Sequence, residues 1–215
     1  MLKSLLLIGI ISLFLFLGMY VTPIDYNLSH LPYNYTLRRF YGETHLWCTI
    51  VYKLIPVIVI IIVVVLTLLF MFRKQLPYKT ASTKRFVIVV FLSLVIGPGL
   101  ISNVILKDHW GRPRPYQVLR DNKKFRPFYK PEFGESKNNS FPSGHATIGF
   151  FLGVPLLALK RRRLGFAVSI IGGGIVGLVR ILQGGHYLSD VIFSWIIVWF
   201  SSELIIYLYE KFKKV

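Results

Sequence analysis

The chain contains 215 residues, of which 54% are hydrophobic, and it carries a formal net charge of +17 at pH 7. That charge would suit a nucleic-acid-binding protein, but the basic residues lie mainly in segments between long apolar runs. This distribution argues against a nucleic-acid partner and indicates a partnership with the membrane bilayer. Cys48 is the only cysteine, which excludes an internal disulfide.

Apolar runs near the ~20 residues that cross a bilayer recur along the chain. Each is expected to be helical, because lipid cannot hydrogen-bond an exposed backbone. The pattern predicts an all-α fold, with a single domain over residues 1–215 that forms a bundle of six transmembrane helices. No small-residue cleavage site follows the first run, which favours a retained anchor over a cleaved signal peptide. The predicted spans are roughly 2–21, 54–72, 86–106, 146–159 (with a start as early as 143), 164–182 and 189–209.

Basic residues mark one face of this predicted bundle. If the spans alternate in direction, both chain ends and the connections after spans two and four share a face, where Glu210 is the clear acid. An excess of Lys and Arg is typical of the cytoplasmic side of a membrane protein, so both termini are expected in the cytoplasm. The basic residues are Lys3, Arg73, Lys74, Lys79, Lys84, Arg85, Lys160, Arg161, Arg162, Arg163, Lys211, Lys213 and Lys214.

The opposite face receives the segments 22–53, 107–145 and 183–188. The segment 107–145 is a long extracytoplasmic loop between helices three and four, and long loops in compact domains are often functional. It is rich in Lys and Arg, which outer loops usually lack. A solvated surface and the attraction of an anionic headgroup both explain this excess. Its basic residues are Lys107, Arg112, Arg114, Arg120, Lys123, Lys124, Arg126, Lys130 and Lys137, and its acids are Asp108, Asp121, Glu132 and Glu135.

The first motif that carries chemistry occupies residues 107–115 and ends in Arg112-Pro113-Arg114-Pro115. Proline fixes its own φ and biases the residue before it to extended geometry, so the two guanidinium groups are held on a stiff backbone. Arginine offers paired donors to phosphate oxygens, and Lys107 adds a point charge. Taken alone, such a basic, proline-containing stretch is equally typical of a plain surface loop.

The second motif, residues 141–145, reads Phe-Pro-Ser-Gly-His just before an apolar helix. Glycine allows a close approach of the backbone. The amides and hydroxyl of Ser143 and Gly144 are therefore candidates for holding a phosphate at the helix N-terminus, where the helix dipole favours anions. His145 would then lie within reach of the leaving oxygen. The alternative is an N-cap followed by an interfacial histidine.

The third motif, residues 180–190, contains Arg180, His186 and Asp190 around a predicted turn at 183–185. If the last helix begins near His186, the i, i+4 spacing puts His186 and Asp190 on one face. A carboxylate on one imidazole nitrogen fixes the tautomer and raises the basicity of the other nitrogen, as a histidine nucleophile requires. The alternative is a plain interfacial set of salt bridges.

The three motifs are expected to form a single site, because Lys107, His145, Arg180 and Asp190 fall at four helix ends on the same face. Nothing in the sequence supports a metal or another cofactor. There is no H-E-x-x-H pattern and no cysteine cluster, and the outer acids are scattered. A Walker A loop and a G-x-S-x-G elbow are also absent from the sequence.

Taken together, the motifs resemble the signature of the type 2 phosphatidic acid phosphatase (PAP2) superfamily of integral-membrane lipid phosphatases. That signature is K-x6-R-P, then P-S-G-H, then S-R-x5-H-x3-D. The matching stretch covers 107–190, and the six-helix topology extends the resemblance over almost the whole chain. Val179 stands where serine usually precedes the arginine, which removes a hydroxyl. The matching residues are Lys107, Arg114, Pro115, Pro142, Ser143, Gly144, His145, Arg180, His186 and Asp190.

The resemblance implies a metal-independent phosphatase that needs no cofactor and forms a phosphohistidine intermediate. It implies that His186 is the nucleophile, that Asp190 orients it, and that His145 protonates the leaving alkoxide. It also implies a set of phosphate-binding residues, with one auxiliary contact just off the motif register. The phosphate-binding residues are Lys107, Arg114, Ser143, Gly144 and Arg180, and the auxiliary residue is Arg112.

Residues 97–115 and 183–193 look similar to the lipid A phosphatase branch of Gram-negative bacteria, in particular its 4′-phosphatase type. The resemblance therefore implies a bacterial inner-membrane location, with the site facing the periplasm and lipid A as the lipid phosphate substrate. Two alternatives stay open. One is a phosphatase of undecaprenyl pyrophosphate or phosphatidylglycerol phosphate, and the other is an anionic-lipid binding or transport protein without chemistry. The sequence does not predict an oligomeric state.

Overall fold

The structure, a computed structural model, describes residues 2–72, 81–134 and 139–213. Within these ranges the side chains of residues 2–4 and of residues 81 and 82 are not described. Several of the charge predictions therefore concern positions or side chains outside the described part. These positions are Lys3, Arg73, Lys74, Lys79, Glu135, Lys137 and Lys214.

The described chain is mostly helical, as the apolar runs predicted. The helix α5 continues directly into a π-helix over Val95–Lys107. The sequence did not predict strands, but the structure contains a short antiparallel hairpin formed by β1 (Tyr33–Asn34) and β2 (Arg39–Phe40). The helices are α1 (Leu2–Val21), α2 (Ile24–His30), α3 (Tyr41–Thr44), α4 (Leu46–Met71), α5 (Ala81–Leu94), α6 (Pro115–Leu119), α7 (Gly144–Phe151), α8 (Val154–Ala158), α9 (Arg162–Leu182) and α10 (Leu188–Phe212).

Within the described ranges, 4 helices are long and apolar enough to cross a bilayer: α4, Thr83–Lys107, α9 and α10. The count rises to 5 if α1 and α2, which meet at an angle of 71°, form one broken span. The predicted fourth span is instead a shorter apolar helix, Gly144–Ala158, interrupted by a turn at residues 152–153. It falls short of the ~20 residues that a straight span requires.

The helices divide into peripheral and central ones. Only 11% of the apolar window of α4 is buried, whereas 56% of the window of α10 is buried. Large side chains on the outer helices, such as Phe14 on α1 and Ile60 on α4, are mostly exposed. Contiguous apolar surface of this kind is rare on soluble monomers and is typical of a lipid-facing surface. The helix α10 therefore lies at the centre of the bundle, and α1 and α4 lie at its edge.

Small residues allow α9 to approach its neighbours closely. A Cβ added to Gly173 would lie 2.0 Å from the ring of Phe150 on α7, and one added to Gly177 would lie 2.3 Å from the side chain of Val191 on α10. Any larger residue at these positions would push the helices apart, which is the usual reason for glycine at membrane helix contacts. This packing holds α9 against α7 and against the start of α10.

Candidate active site

Four helix ends meet on one side of the bundle. Lys107 ends the π-helix, Arg180 lies in the last turn of α9, and Asp190 lies in the first turn of α10. The Nζ atom of Lys107 lies 3.3 Å from the point where a Cβ on Gly144 would be. The amide of Ser143 donates a hydrogen bond to the carbonyl of Asp190 at 3.3 Å. The structure thus brings together the ends of helices that are far apart in the sequence.

His186 is buried in the turn between α9 and α10. Its Nδ1 lies 2.6 Å from the backbone carbonyl of Ser140. A carbonyl oxygen only accepts hydrogen bonds, so this contact assigns the proton of the neutral ring to Nδ1. The lone pair of a neutral His186 is consequently on Nε2. That is the tautomer in which a histidine can act as a nucleophile through Nε2.

Asp190 is placed differently from the simple picture of a carboxylate that orients His186. The helix α10 begins at Leu188, after His186, and an oxygen of Asp190 lies 3.4 Å from Nδ1 of His186. The Ser140 carbonyl makes the shorter contact with that nitrogen. Asp190 itself accepts a hydrogen bond from the amide of Tyr187 at 2.9 Å and pairs with Arg112. Its carboxylate therefore caps α10 and stands beside the imidazole.

Arg112, the predicted auxiliary residue, lies in a buried network of ion pairs. Its guanidinium is fully buried between the carboxylates of Asp190 and Asp25, which lies 2.8 Å from Nη2, and its Nε donates to the carbonyl of Arg126. Burial opposes the charge, but the two carboxylates outweigh burial, so the pKa of Arg112 is raised. Its donors are engaged because it links the loop to α2 and α10. Nη1 also donates to the hydroxyl of Ser189.

Three cations surround His186. Burial lowers the pKa of His186 well below 6.5, and the nearby charges of Arg180, Arg114 and Lys107 lower it further, against the opposing hydrogen bond to Ser140. The ring is therefore held neutral, because a second positive charge among these cations is unfavourable. The predicted phosphate-binding cations thus lie close enough to act on the imidazole.

Among the described residues, Arg180 has both an engaged and an unengaged donor. Its Nη1 donates to the side chain of Gln183 at 2.6 Å. Its Nε is buried and has no hydrogen-bond partner among the described residues. The guanidinium covers Gly185, where a Cβ would lie 2.2 Å from Nη2. A buried donor without a partner is costly, and an anion would satisfy it.

Ser143 and Gly144 form the start of α7, as the second motif predicted. The hydroxyl of Ser143 accepts a hydrogen bond from the amide of Ala146 at 3.4 Å, which makes it the N-cap. Its amide donates to the hydroxyl of Ser194 at 3.0 Å, so this amide packs α7 against α10. Of the predicted phosphate donors at this helix end, the amide of Ser143 is therefore already engaged.

His145 follows in the first turn of α7, and its ring neighbour could not be predicted from the sequence. Its ring stacks on Tyr52 of α4, with 4.3 Å between ring centroids and an interplanar angle of 15°. The Cζ atom of Arg180 lies 4.8 Å from the centre of the same tyrosine ring. The structure thus adds Tyr52 to the predicted set, together with the carbonyl of Ser140 and the buried carboxylate of Asp25.

Metal ligands are not grouped in the described ranges. No cluster of three or more His, Cys, Asp or Glu residues is placed there to hold an ion.

Comparison with known sequences identifies the family of the chain. The sequence model of the PAP2 superfamily matches residues 85–214, which is more than half of the chain. The chain belongs to the PAP2 superfamily. All three motifs fall inside the PAP2 match, whereas Asp25 and Tyr52 lie outside it. No solved structure matches the chain significantly.

Characterised relatives share part of their length with this PAP2 chain. It is 40% identical over 139 residues to the lipid A 4′-phosphatase of Francisella tularensis subsp. novicida, which covers 62% of this chain and 60% of that protein. It is 36% identical over 108 residues to the lipid A 4′-phosphatase of Rhizobium leguminosarum, covering 48% of this chain and 46% of that protein. It is 38% identical over 109 residues to the lipid A 1-phosphatase of Rhizobium johnstonii, covering 50% and 42%. The chain thus spans 60% or less of each relative's length.

Proposed function

We propose that this PAP2 protein is a membrane phosphatase that removes a phosphate monoester from a lipid headgroup through a phosphohistidine intermediate. One observation carries the proposal: His186, with its lone pair on Nε2, lies among three cations. One of these cations, Arg180, contacts the same Tyr52 ring as His145, a second histidine at a helix start. A group that only binds phosphate does not need a buried imidazole held in one tautomer. The arrangement therefore supports covalent catalysis over simple lipid binding or transport.

The cations supply the phosphate-binding part of this site. Lys107, Arg114 and Arg180 act together on the pKa of His186, which supports a common location for their charges. The partnerless Nε of Arg180 would donate to a phosphate oxygen. Donors arranged in advance around a phosphoryl group stabilise the charge on its equatorial oxygens in the transition state. Ser143 and Gly144 would contribute the remaining hydrogen bonds through the serine hydroxyl and the glycine amide.

In the first step, the lone pair of His186 Nε2 forms a bond to phosphorus. The bond from phosphorus to the lipid oxygen breaks, and that oxygen takes a proton from His145. The carbonyl of Ser140 keeps the Nδ1 proton in place and stabilises the positive charge that develops on the imidazole. Asp190, 3.4 Å from the same nitrogen, adds a negative charge that favours the phosphorylated ring. The product of this step is the dephosphorylated lipid.

In the second step, His145 has lost its proton and acts as the base. It accepts a proton from a water molecule whose oxygen bonds to phosphorus, and the bond between phosphorus and Nε2 breaks. The electron pair returns to His186, and inorganic phosphate leaves. Acid and base roles for one histidine in successive steps follow from the reversal of its protonation state.

Lipid A is the proposed substrate. Relatives named lipid A phosphatases, with 36–40% identity to this chain, support that choice. The basic loop between the π-helix and α7 also supports it, because exposed cations such as Lys123 and Lys124 attract a polyanionic headgroup. The sequence similarity favours the 4′-phosphate over the 1-phosphate. Phosphate release measured over a panel of lipids tests this choice of substrate.

The panel contains hexa-acylated lipid A, undecaprenyl pyrophosphate and phosphatidylglycerol phosphate, each in mixed micelles with purified protein. We expect the fastest phosphate release from lipid A, and mass spectrometry should locate the loss at the 4′ position. His186→Ala should be inactive while keeping the wild-type melting temperature. Faster turnover of either other lipid would replace the proposed substrate. Binding of all three lipids without phosphate release would support the binding or transport alternative.

The topology is also part of the proposal. We infer six membrane crossings in the inner membrane, with α1–α2 and Gly144–Ala158 as irregular spans, both termini in the cytoplasm and the site in the periplasm. The positive-inside distribution supports this orientation. In a Cys48→Ala background, Lys123→Cys should react with a membrane-impermeant maleimide in intact spheroplasts, and Lys213→Cys only after lysis. The reverse labelling pattern would put the site on the cytoplasmic side.

A further inference from the structure

Tyr52 contacts two residues of the proposed site from a helix outside the PAP2 match. It lies in α4, between residues 46 and 71, whereas the family match begins at residue 85. Most of α4 faces outward, with only 11% of its apolar window buried. The N-terminal part of α4 is different, because there the ring of Tyr52 faces the start of α7 and the end of α9.

The two contacts are of different kinds. The imidazole of His145 lies nearly parallel to the Tyr52 ring, at 4.3 Å and 15°, and so its plane is set by the tyrosine. The guanidinium of Arg180 lies 4.8 Å from the ring centre, within the range of a cation–π contact. The aromatic face is the electronegative part of the ring, so it attracts the cation without using any of its N–H donors. The Nε donor of Arg180, which has no hydrogen-bond partner among the described residues, thereby stays available to an anion.

We propose that Tyr52 is a positioning residue, which holds the imidazole of His145 and the guanidinium of Arg180 in register with one another through the face of its ring. This inference rests on the proposed phosphatase function. His145 must meet the leaving oxygen while Arg180 holds an oxygen on the same phosphorus, so an error in the relative placement of the two groups disturbs the transition state directly. The ring of Tyr52 contacts both groups.

The exposed position of Tyr52 allows substitutions that test the role of its ring. Its side chain is 37% exposed, so its replacement leaves no buried cavity of the usual core kind. Tyr52→Phe keeps the ring and removes the hydroxyl, whereas Tyr52→Leu removes the ring and keeps an apolar side chain suited to a lipid-facing helix. Tyr41 offers a matched control, because it stacks on His45 at 3.6 Å and 18° but neither residue belongs to the proposed site.

The first measurement compares kcat and KM for phosphate release from lipid A. We expect Tyr52→Phe and Tyr41→Leu to match the wild type. We expect Tyr52→Leu to lose about ten- to a hundredfold in kcat, the size of effect that follows from misplacement of a catalytic group by about 1 Å. Misplacement of Arg180 affects both substrate binding and the chemical step, whereas misplacement of His145 affects only the chemical step. The loss in kcat should therefore exceed the rise in KM. Melting temperatures of all variants should agree.

The second measurement is a double-mutant cycle that separates positioning from general packing. If Tyr52 acts through its two partners, Tyr52→Leu should cost much less in a His145→Ala or an Arg180→Ala background than in the wild type. A residue that merely packs α4 against the bundle would produce the same fold loss in every background. Single-turnover release of the dephosphorylated lipid keeps the slow variants measurable.

The outcomes distinguish the two levels of the proposal. A wild type that releases no phosphate from any lipid of the panel refutes the phosphatase function, and the role of Tyr52 with it. An active wild type with an equally active Tyr52→Leu variant refutes the positioning role alone. So does a fully additive cycle, or a Tyr52→Phe variant that is as slow as Tyr52→Leu.

Discussion

The buried guanidinium of Arg112 gives a prediction whose size can be estimated from the structure. Arg112 pairs with Asp25 and Asp190, and its side chain is 0% exposed. Arg112→Met removes the cation and leaves both carboxylates buried without their partner. Breaking a buried pair in this way typically costs about 3–5 kcal/mol. For a chain of this size, that corresponds to a melting temperature lowered by roughly 6–20 °C.

Arg120 is the matched control because it also has two carboxylate partners. Glu43 lies 3.3 Å and Asp121 3.4 Å from its guanidinium, but the arginine side chain is 37% exposed. Exposed ion pairs contribute about 0–1 kcal/mol, so Arg120→Met should lower the melting temperature by only a few degrees. Thermal unfolding of both variants in the same detergent, followed by near-UV circular dichroism, makes the comparison. Equal and small shifts for Arg112→Met and Arg120→Met would refute the buried network.

Three further predictions concern the chemistry. Gly185→Ala should lower kcat/KM for lipid A by about tenfold or more, because the added Cβ would displace Arg180. The control Gly174→Ala should not lower it, since a Cβ there meets no neighbour within 4 Å. Equal rates for the two variants would count against the phosphate-binding role of Arg180. Since the pKa of His186 is lowered, its neutral form persists below pH 6.5. The acid limb of the pH profile of kcat/KM, corrected for substrate ionisation, should therefore have its midpoint well below pH 6.5. A midpoint above pH 6.5 would contradict this prediction. Prolonged EDTA treatment should leave the rate unchanged, and a reversible loss would reveal a metal requirement.

The same shift in His186 has a consequence for stability. Below pH 6.5 the unfolded chain protonates this histidine, whereas the folded chain resists protonation because the ring is buried among cations. The unfolded state then binds more protons, so folding stability should decrease as the pH falls from about 6.5 toward the lower pKa of the folded state. Above pH 6.5 both states hold the ring neutral, and this contribution is absent.

The helical fold and the residues that meet at the site could be anticipated from local patterns. Apolar runs specify spans because the bilayer leaves few alternatives to a helix. Alternation of the spans then placed Lys107, Arg180 and Asp190 at neighbouring helix ends, as found. The shorter helix after Gly144 was less predictable, since hydropathy alone does not register the turn at residues 152–153.

Contacts between distant segments were beyond the reach of the sequence. Asp25 is one of two acids in the outer segment 22–53, and nothing in its surroundings marks it as the partner of Arg112. The Ser140 carbonyl is a backbone atom, which no residue pattern can reveal. Tyr52 lies outside all three motifs, and no spacing relates it to His145 or Arg180. The ion pairs of Arg112 could not be anticipated either, because its spacing from Arg114 says nothing about the carboxylates that surround it.

The central claim is that His186 carries the phosphoryl group, and trapping that intermediate tests it most directly. Purified protein is mixed with lipid A labelled with ³²P at the 4′ position, quenched in alkaline detergent within milliseconds, and digested for mass spectrometry. We expect an alkali-stable, acid-labile phosphate on Nε2 of His186, and none in His186→Ala. Phosphate release without any labelled protein, or with the label on His145 or another residue, would contradict it.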